Sequence, residues 1–243
     1  RLKFGQSIRE EGPSWHKSKS GTPTMGGITM IVSVTVATIL FAYLPARSNL
    51  EILMLLGTAL LFGAIGFVDD FIKVVMKRNL GLSAKQKFLA QLFVSIISTV
   101  SLNYMGYLNG EIMIPFVDRM IDIGLWIIPF IVFVQLAMVN SVNLTDGLDG
   151  LASTVTLIAG LFLTIVAFLM RETAVAVFIG AVSGSCLAFL VFNAHPAKVF
   201  MGDTGSLFLG GAVAAAAIAL KLPFILIMIS CRDSVGYYSG RIL

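Results

Sequence analysis

The chain has 243 residues, of which 57% are hydrophobic and only 12% charged. A soluble domain carries about 25% charged residues, so an ordinary soluble fold is excluded and hydropathy is the pattern to read first. The net charge of +4 is modest; in a membrane chain the placement of positive charges says more than their sum, and no nucleic-acid partner is expected.

The chain opens on Arg1-Leu2-Lys3-Phe4, with neither Met nor a signal peptide, which leaves room for an upstream segment. The string Lys17-Ser18-Lys19-Ser20-Gly21-Thr22-Pro23-Thr24-Met25-Gly26-Gly27 is basic and rich in hydroxyls and glycine. It suits an anionic phosphate, and it also suits a flexible positive flank. Apolar runs near the ~20 residues that cross a bilayer then recur. They predict full spans at 26–44, 50–75, 87–104, 124–142, 151–170, 173–192 and 204–220, with a partial eighth at 222–230. Short connections make this one all-α, polytopic transmembrane bundle. Cys186 and Cys231 offer no disulfide framework.

The second span ends in Phe67-Val68-Asp69-Asp70-Phe71-Ile72-Lys73. On a helix Asp69 and Lys73 share a face, with Asp70 about 100° around. Adjacent carboxylates near a membrane are costly to ionise without a cation, and an interfacial salt bridge to Lys73 is the simpler reading. The basic string Lys77-Arg78-Asn79-Leu80-Gly81-Leu82-Ser83-Ala84-Lys85-Gln86-Lys87 follows; topology alone explains its charge, as would contact with phosphates. The longest connection, 105–123, holds Gly106, Gly110 and Pro115 around an apolar Ile112-Met113-Ile114, which predicts a small hairpin.

The fourth span runs into Asn140-Ser141-Val142-Asn143-Leu144-Thr145-Asp146-Gly147-Leu148-Asp149-Gly150. Asp146 and Asp149 converge if this segment turns helically, and glycine allows close backbone approach to a ligand. A capped turn, with Asp149 starting the next helix, is the alternative. Phe192-Asn193-Ala194-His195-Pro196-Ala197-Lys198-Val199-Phe200-Met201-Gly202-Asp203-Thr204-Gly205-Ser206 opens the seventh span. A helix N-terminus favours phosphate; Asp203 could take a hard cation or simply cap the helix.

Thirteen of the 17 Lys and Arg residues fall on one set of alternate connections, which makes that side cytoplasmic. Asp69, Asp70, Asp146, Asp149 and Asp203 all lie there, whereas Glu51, Glu111, Asp118, Asp122 and Glu172 fall outside and read as solvated loop charges. Acids beside phosphate-friendly loops imply a divalent metal and a phosphate ester.

The strings Lys19 to Gly27, Asp69-Asp70 with Lys73, Asn143 to Gly150 and Phe200 to Ser206 resemble those of the phospho-N-acetylmuramoyl-pentapeptide transferase family, in the polyprenyl-phosphate N-acetylhexosamine-1-phosphate transferase superfamily. They stand in family order, and the resemblance covers residues 1 to about 229. It implies a ten-span bundle in the bacterial inner membrane, with its site facing the cytoplasm. The implied reaction moves phospho-N-acetylmuramoyl-pentapeptide from its UDP precursor to undecaprenyl phosphate, giving lipid I and UMP with Mg²⁺; a homodimer is also implied. By position Asp203 would ligand Mg²⁺, Asp69 would be the base toward the lipid phosphate, and Asp70 would support the metal and phosphate site. Thr24, Asn143, Asp146 and Asn193 would line the nucleotide-sugar site, and Lys73, Lys77 and Lys85 would meet phosphates. Lys19, Gly147, Leu148, Asp149 and Phe200 would hold the uridine. Against the family pattern, the first span is absent, and residues 231–243 form an atypical tail where further spans and a triple-histidine loop would stand. A sister transferase of UDP-N-acetylhexosamines and an inactive fragment are the alternative readings. A transporter fits less well, since the acids sit at span ends and no internal repeat is visible.

Overall fold

The structure is a computed structural model and describes residues 22–43, 50–76, 81–114, 119–224 and 226. Helices dominate it, in the order α1 (Gly27–Thr38, extended by a π turn over Ile39–Tyr43), α2 (Leu50–Val74), α3 (Ala84–Tyr104), α4 (Ile127–Thr145), α5 (Leu151–Leu169), α6 (Thr173–Asn193) and α7 (Gly202–Ala219). The hairpin expected within 105–123 is present: β1 (Glu111–Ile114) pairs antiparallel with β2 (Arg119–Asp122), Glu111 opposite Asp122. Only part of the expected eighth span, residues 222–224 and 226, is among the described residues; Lys19, Lys77 and the 231–243 tail lie outside them.

Among the described residues, five helical segments are long and apolar enough to cross a membrane: α2, α4 with the short turn before it, α5, α6 and α7. The apolar stretch Gly27–Tyr43 is shorter. α3 has the length, 21 residues, but its buried face carries Gln91, Ser95, Ser98 and Thr99, which lowers its hydropathy. Its start shifts from the expected residue 87 to Ala84, because Ser83 and Gln86 form a reciprocal capping box. α4 runs three residues past its expected end, so Asn143 sits on its last turn.

α7 is the axis of the bundle. Every residue from Thr204 to Ala219 is buried, and the sequence there is almost all glycine, alanine and short aliphatics. Small side chains let backbones approach closely where lipid supplies no hydrophobic driving force between helices. A Cβ on Gly66 of α2 would stand 2.0 Å from the Asp203 carbonyl oxygen, and one on Gly27 of α1 would stand 2.2 Å from the Gly205 nitrogen. A Cβ on Gly210 would meet the Val139 Cα of α4 at 2.7 Å. α1, α2 and α4 therefore close on α7 at glycine-sized contacts, while apolar side chains such as Phe93, Val100, Phe168 and Val191 face outward.

Gly66→Ala overpacks the α2–α7 crossing and is expected to cost about 1–3 kcal/mol. Gly57→Ala, on the same helix, meets nothing within 4 Å and should gain up to about 1 kcal/mol from helix propensity. Thermal unfolding of both variants in the same detergent checks the opposite signs.

Candidate functional site

The acidic ends of α2, α4 and α7 meet the start of α3 at one end of the bundle. Asp70 is 3% exposed and its carboxylate is turned onto the N-terminus of α7. Oδ1 accepts from the Asp203 N–H at 3.2 Å. Oδ2 accepts from the Thr204 N–H at 2.8 Å and from the Thr204 hydroxyl at 2.6 Å. A residue of one helix thus caps another, satisfying first-turn donors that the helix itself cannot. Gly202, at φ +76°, makes room: a Cβ there would fall 2.5 Å from Asp70 Oδ2.

Asp203 is thereby fixed one step into α7, inside the helix rather than before it. Its Oδ2 meets Lys73 Nζ at 2.8 Å and Lys87 Nζ at 3.1 Å. Its Oδ1 accepts from Asn143 Nδ2 at 2.7 Å. Asn143 also donates to the Ser206 hydroxyl at 2.8 Å and accepts from Lys87 at 3.1 Å. Asp69, 2% exposed, pairs with Lys73 and accepts from the Leu82 N–H at 2.7 Å. Asp69, Asp70 and Asp203 each offer an oxygen within 4.8 Å of the others. Three carboxylates facing two ammonium groups leave an excess negative charge and hard oxygen donors, the chemistry a small divalent cation selects. The donor set therefore fits a metal, and a Cβ on Gly81 would enter this space 2.5 Å from Asp69 Oδ1.

Beside this cluster two loops form a second wall. Asp146 follows α4, half-buried. Removal from water, then the negative charges of Asp203 and Asp70, raise its carboxyl well above the usual carboxylate range, against a hydrogen bond from the Gly202 N–H. Gly150, at φ +75°, turns the chain so that its N–H reaches Asn193 Oδ1 at 3.1 Å. Asn193 Nδ2 donates to the Val199 carbonyl at 2.9 Å, so this buried amide staples the 146–150 loop to the 194–201 loop. Asp149 Oδ2 accepts from the Ala197 N–H at 3.2 Å and lies 3.2 Å from His195 Nδ1, a second staple. Gly147 and Leu148 are exposed between them, and Phe200 is half-buried.

The Pro23–Gly27 segment joins the same wall. Phe200 N–H donates to the Pro23 carbonyl at 2.8 Å, Gly26 N–H to Phe200 at 2.9 Å and Gly27 N–H to Met201 at 2.9 Å. Thr24 is carried there, half-buried. Of the residues expected in the site, Asp69, Asp70, Lys73, Asn143 and Asp203 share the cluster, and Asp146 interacts with it. Thr24, Gly147, Leu148, Asp149, Asn193 and Phe200 belong to the loops beside it. Lys85 points away, exposed. Lys87, which was not among the expected site residues, takes the inward position instead, with its Nζ 3.1 Å from Asp203 Oδ2; the capping box sets the helical phase that turns it there. Ser206 was also missed, and its i+3 spacing from Asp203 is the signal that would have found it.

Membrane-crossing helices that end in carboxylates, lysines and glycine loops describe a multi-pass membrane protein with a polar, metal-competent site at one end of its bundle. Residues 52–221 match Glycosyl transferase family 4. The chain is 50% identical to the phospho-N-acetylmuramoyl-pentapeptide-transferase of Halalkalibacterium halodurans, over 94% of this chain and 70% of that protein. It is 48% identical to the one of Thermoanaerobacter sp. (strain X514), over 94% and 71%, and 49% identical to the one of Bacillus subtilis (strain 168), over 94% and 70%. The chain belongs to glycosyl transferase family 4, in the branch of the phospho-N-acetylmuramoyl-pentapeptide-transferases, and is a bacterial multi-pass membrane transferase.

Two outcomes follow from this geometry. Asp70→Asn presents an amide N–H₂ to donors that need an acceptor, and should cost about 1–3 kcal/mol, read as a lower thermal midpoint without substrate or metal. Because the Asp146 carboxyl is raised, the folded chain holds a proton that the unfolded chain has released above about pH 4. Its contribution to stability therefore falls as pH rises from there toward the raised value. Asp146→Asn should flatten that part of the midpoint-versus-pH curve, measured with a metal chelator present.

Proposed function

We propose that this chain transfers phospho-N-acetylmuramoyl-pentapeptide from its UDP precursor to undecaprenyl phosphate, releasing UMP and forming lipid I, the first membrane step of peptidoglycan synthesis. The observation that carries the reading is the convergence of Asp69, Asp70 and Asp203 with Lys73, Lys87 and Asn143 at one end of the bundle, in a chain half identical to transferases of that name. A lipid phosphate must reach this site from the bilayer and a nucleotide from water, which suits the end of a helical bundle. The reading places the site on the cytoplasmic side of the bacterial inner membrane, as the lysine and arginine distribution supports.

In the reaction an oxygen of the lipid phosphate forms a bond to the sugar-linked phosphorus. The bond from that phosphorus to the bridging oxygen breaks, and UMP leaves with the electron pair. We assign the metal as Mg²⁺, held by Asp203 with Asp69 and Asp70 around it; when bound it neutralises the pyrophosphate and the charge that develops on the leaving oxygen. With Asp203 engaged by a cation, Lys73 and Lys87, which pair with it here, would be free to meet phosphate oxygens. Asn143 holds Asp203 in place through its amide. A phosphate monoester is largely doubly ionised near neutral pH, so the nucleophile needs little help from a base; Asp69 is the group that takes the residual proton. Lys19 and Lys77 complete the uridine and phosphate contacts in this reading. Asp146, Gly147, Leu148, Asp149, Asn193, Phe200 and Thr24 line the nucleotide side, where the Phe200 ring stacks on the uracil.

The test is UMP release from UDP-N-acetylmuramoyl-pentapeptide in membranes supplied with undecaprenyl phosphate. Chelation should abolish it and Mg²⁺ restore it. Asp203→Ala should lower kcat by about 10²-fold or more, on the scale of losing a group that stabilises transition-state charge. Full activity in Asp203→Ala would remove Asp203 from the metal site. Competition by a UDP-N-acetylhexosamine that itself yields a lipid product would instead favour the sister transferases.

A further inference from the structure

α3 is held to the bundle largely by hydrogen bonds. Four of the six buried residues on it are polar: Gln91, Ser95, Ser98 and Thr99, beside Val94 and Leu102. Near the acidic end, Asn140 Nδ2 of α4 donates to Gln91 Oε1 at 2.8 Å. Farther into the membrane, Gln135 Nε2 donates to the Thr99 hydroxyl at 2.9 Å, and Ser98 pairs with Thr58 of α2 at 3.0 Å. The two α3–α4 bonds lie about 12 Å apart along the helix. Ser95 falls midway between them, on the same face as Gln91 and Thr99.

Three atoms in this stretch have no partner in the protein: Gln91 Nε2, Ser95 Oγ and Gln135 Oε1. Their residues are 1%, 0% and 0% exposed. Reversing either amide only exchanges which of its ends is unpaired, and Ser95 has a single proton to give. The hydroxyls of Thr35 and Thr38, also without partners, stand on α1 and not on α3 or α4. Within a bilayer, unsatisfied polar groups are expensive and bulk water does not reach them. Buried waters resolve such sites when they have two to four polar partners.

We propose that the α3–α4 seam is a built water site, in which ordered water bridges Gln91 Nε2, Ser95 Oγ and Gln135 Oε1 between the two direct interhelix bonds. The set offers one donor, one acceptor and one hydroxyl with no charge among them, which selects a neutral molecule that both gives and accepts hydrogen bonds. The bridged seam extends the polar run that begins at Lys87 and Asn143 and holds α3 at the phase that keeps Lys87 turned inward.

The experiment uses the full chain in lipid nanodiscs. A density map fine enough to show ordered water should contain solvent peaks in the seam, with each of these three atoms within hydrogen-bonding reach of one. Ser95→Ala, which removes one of the water's partners, should lower the thermal midpoint. A map in which Ser95 bonds directly to Gln91 or Gln135 with no solvent between them overturns the proposal. So does a Ser95→Ala midpoint equal to or above the parent's, the result expected when a dry, unpaired hydroxyl is deleted. Neither readout depends on transferase activity.

Discussion

The carboxylate of Asp70 on the first backbone N–H groups of α7 is the contact on which the acidic end of the bundle depends. The first turn of α7 leaves N–H groups that no carbonyl of its own helix can reach. Asp70 provides their acceptor from α2, and the same contact fixes the height at which Asp203 leaves the helix. Asp203 in turn sets Lys73, Lys87 and Asn143. Helix packing and site geometry are therefore one problem here: the glycines that let α2 and α7 touch are also what bring the carboxylates within reach of one another.

Electrostatics then divides the acids by task. Asp70 spends its oxygens on three donors of α7 and is chiefly a structural anchor that still presents charge to the site. Asp69 is bound to Lys73 and to the Leu82 N–H, which ties the α2–α3 connection to the cluster. Asp203 carries the most ion pairs and is the acid whose partners, two lysines on flexible stems, can be exchanged for a cation and phosphates. Asp146, raised by burial and by its acidic neighbours, is the acid held toward its protonated form.

Much of this was legible in the sequence, for identifiable reasons. Long apolar runs gave the helices, and Gly106, Gly110 and Pro115 marked the β1–β2 hairpin. The aspartates stood out because charge at a membrane boundary is costly and so carries meaning. The rest depended on contacts between distant segments. Nothing local says that Pro23 and Gly26 pair with Phe200, or that Asp70 caps a helix more than a hundred residues away. Lys85 and Lys87 are equivalent until the Ser83–Gln86 box fixes the rotation of α3. Asn193 and Asp149 read as ligand groups in sequence; in the fold each also fastens one loop to the other, a role that only the juxtaposition of those loops reveals.

The polar face of α3 bears on how the chain enters the membrane during synthesis. A helix with Gln91, Ser95, Ser98 and Thr99 along one side gains less from lipid than its neighbours do, and its interhelix hydrogen bonds run to α4 and α2. α2 precedes it and can be waiting, but α4 emerges later, after the β1–β2 hairpin. α3 and α4 are thus suited to leave the translocon as a pair, with the hairpin keeping them in register until the amides of Gln91 and Gln135 reach across.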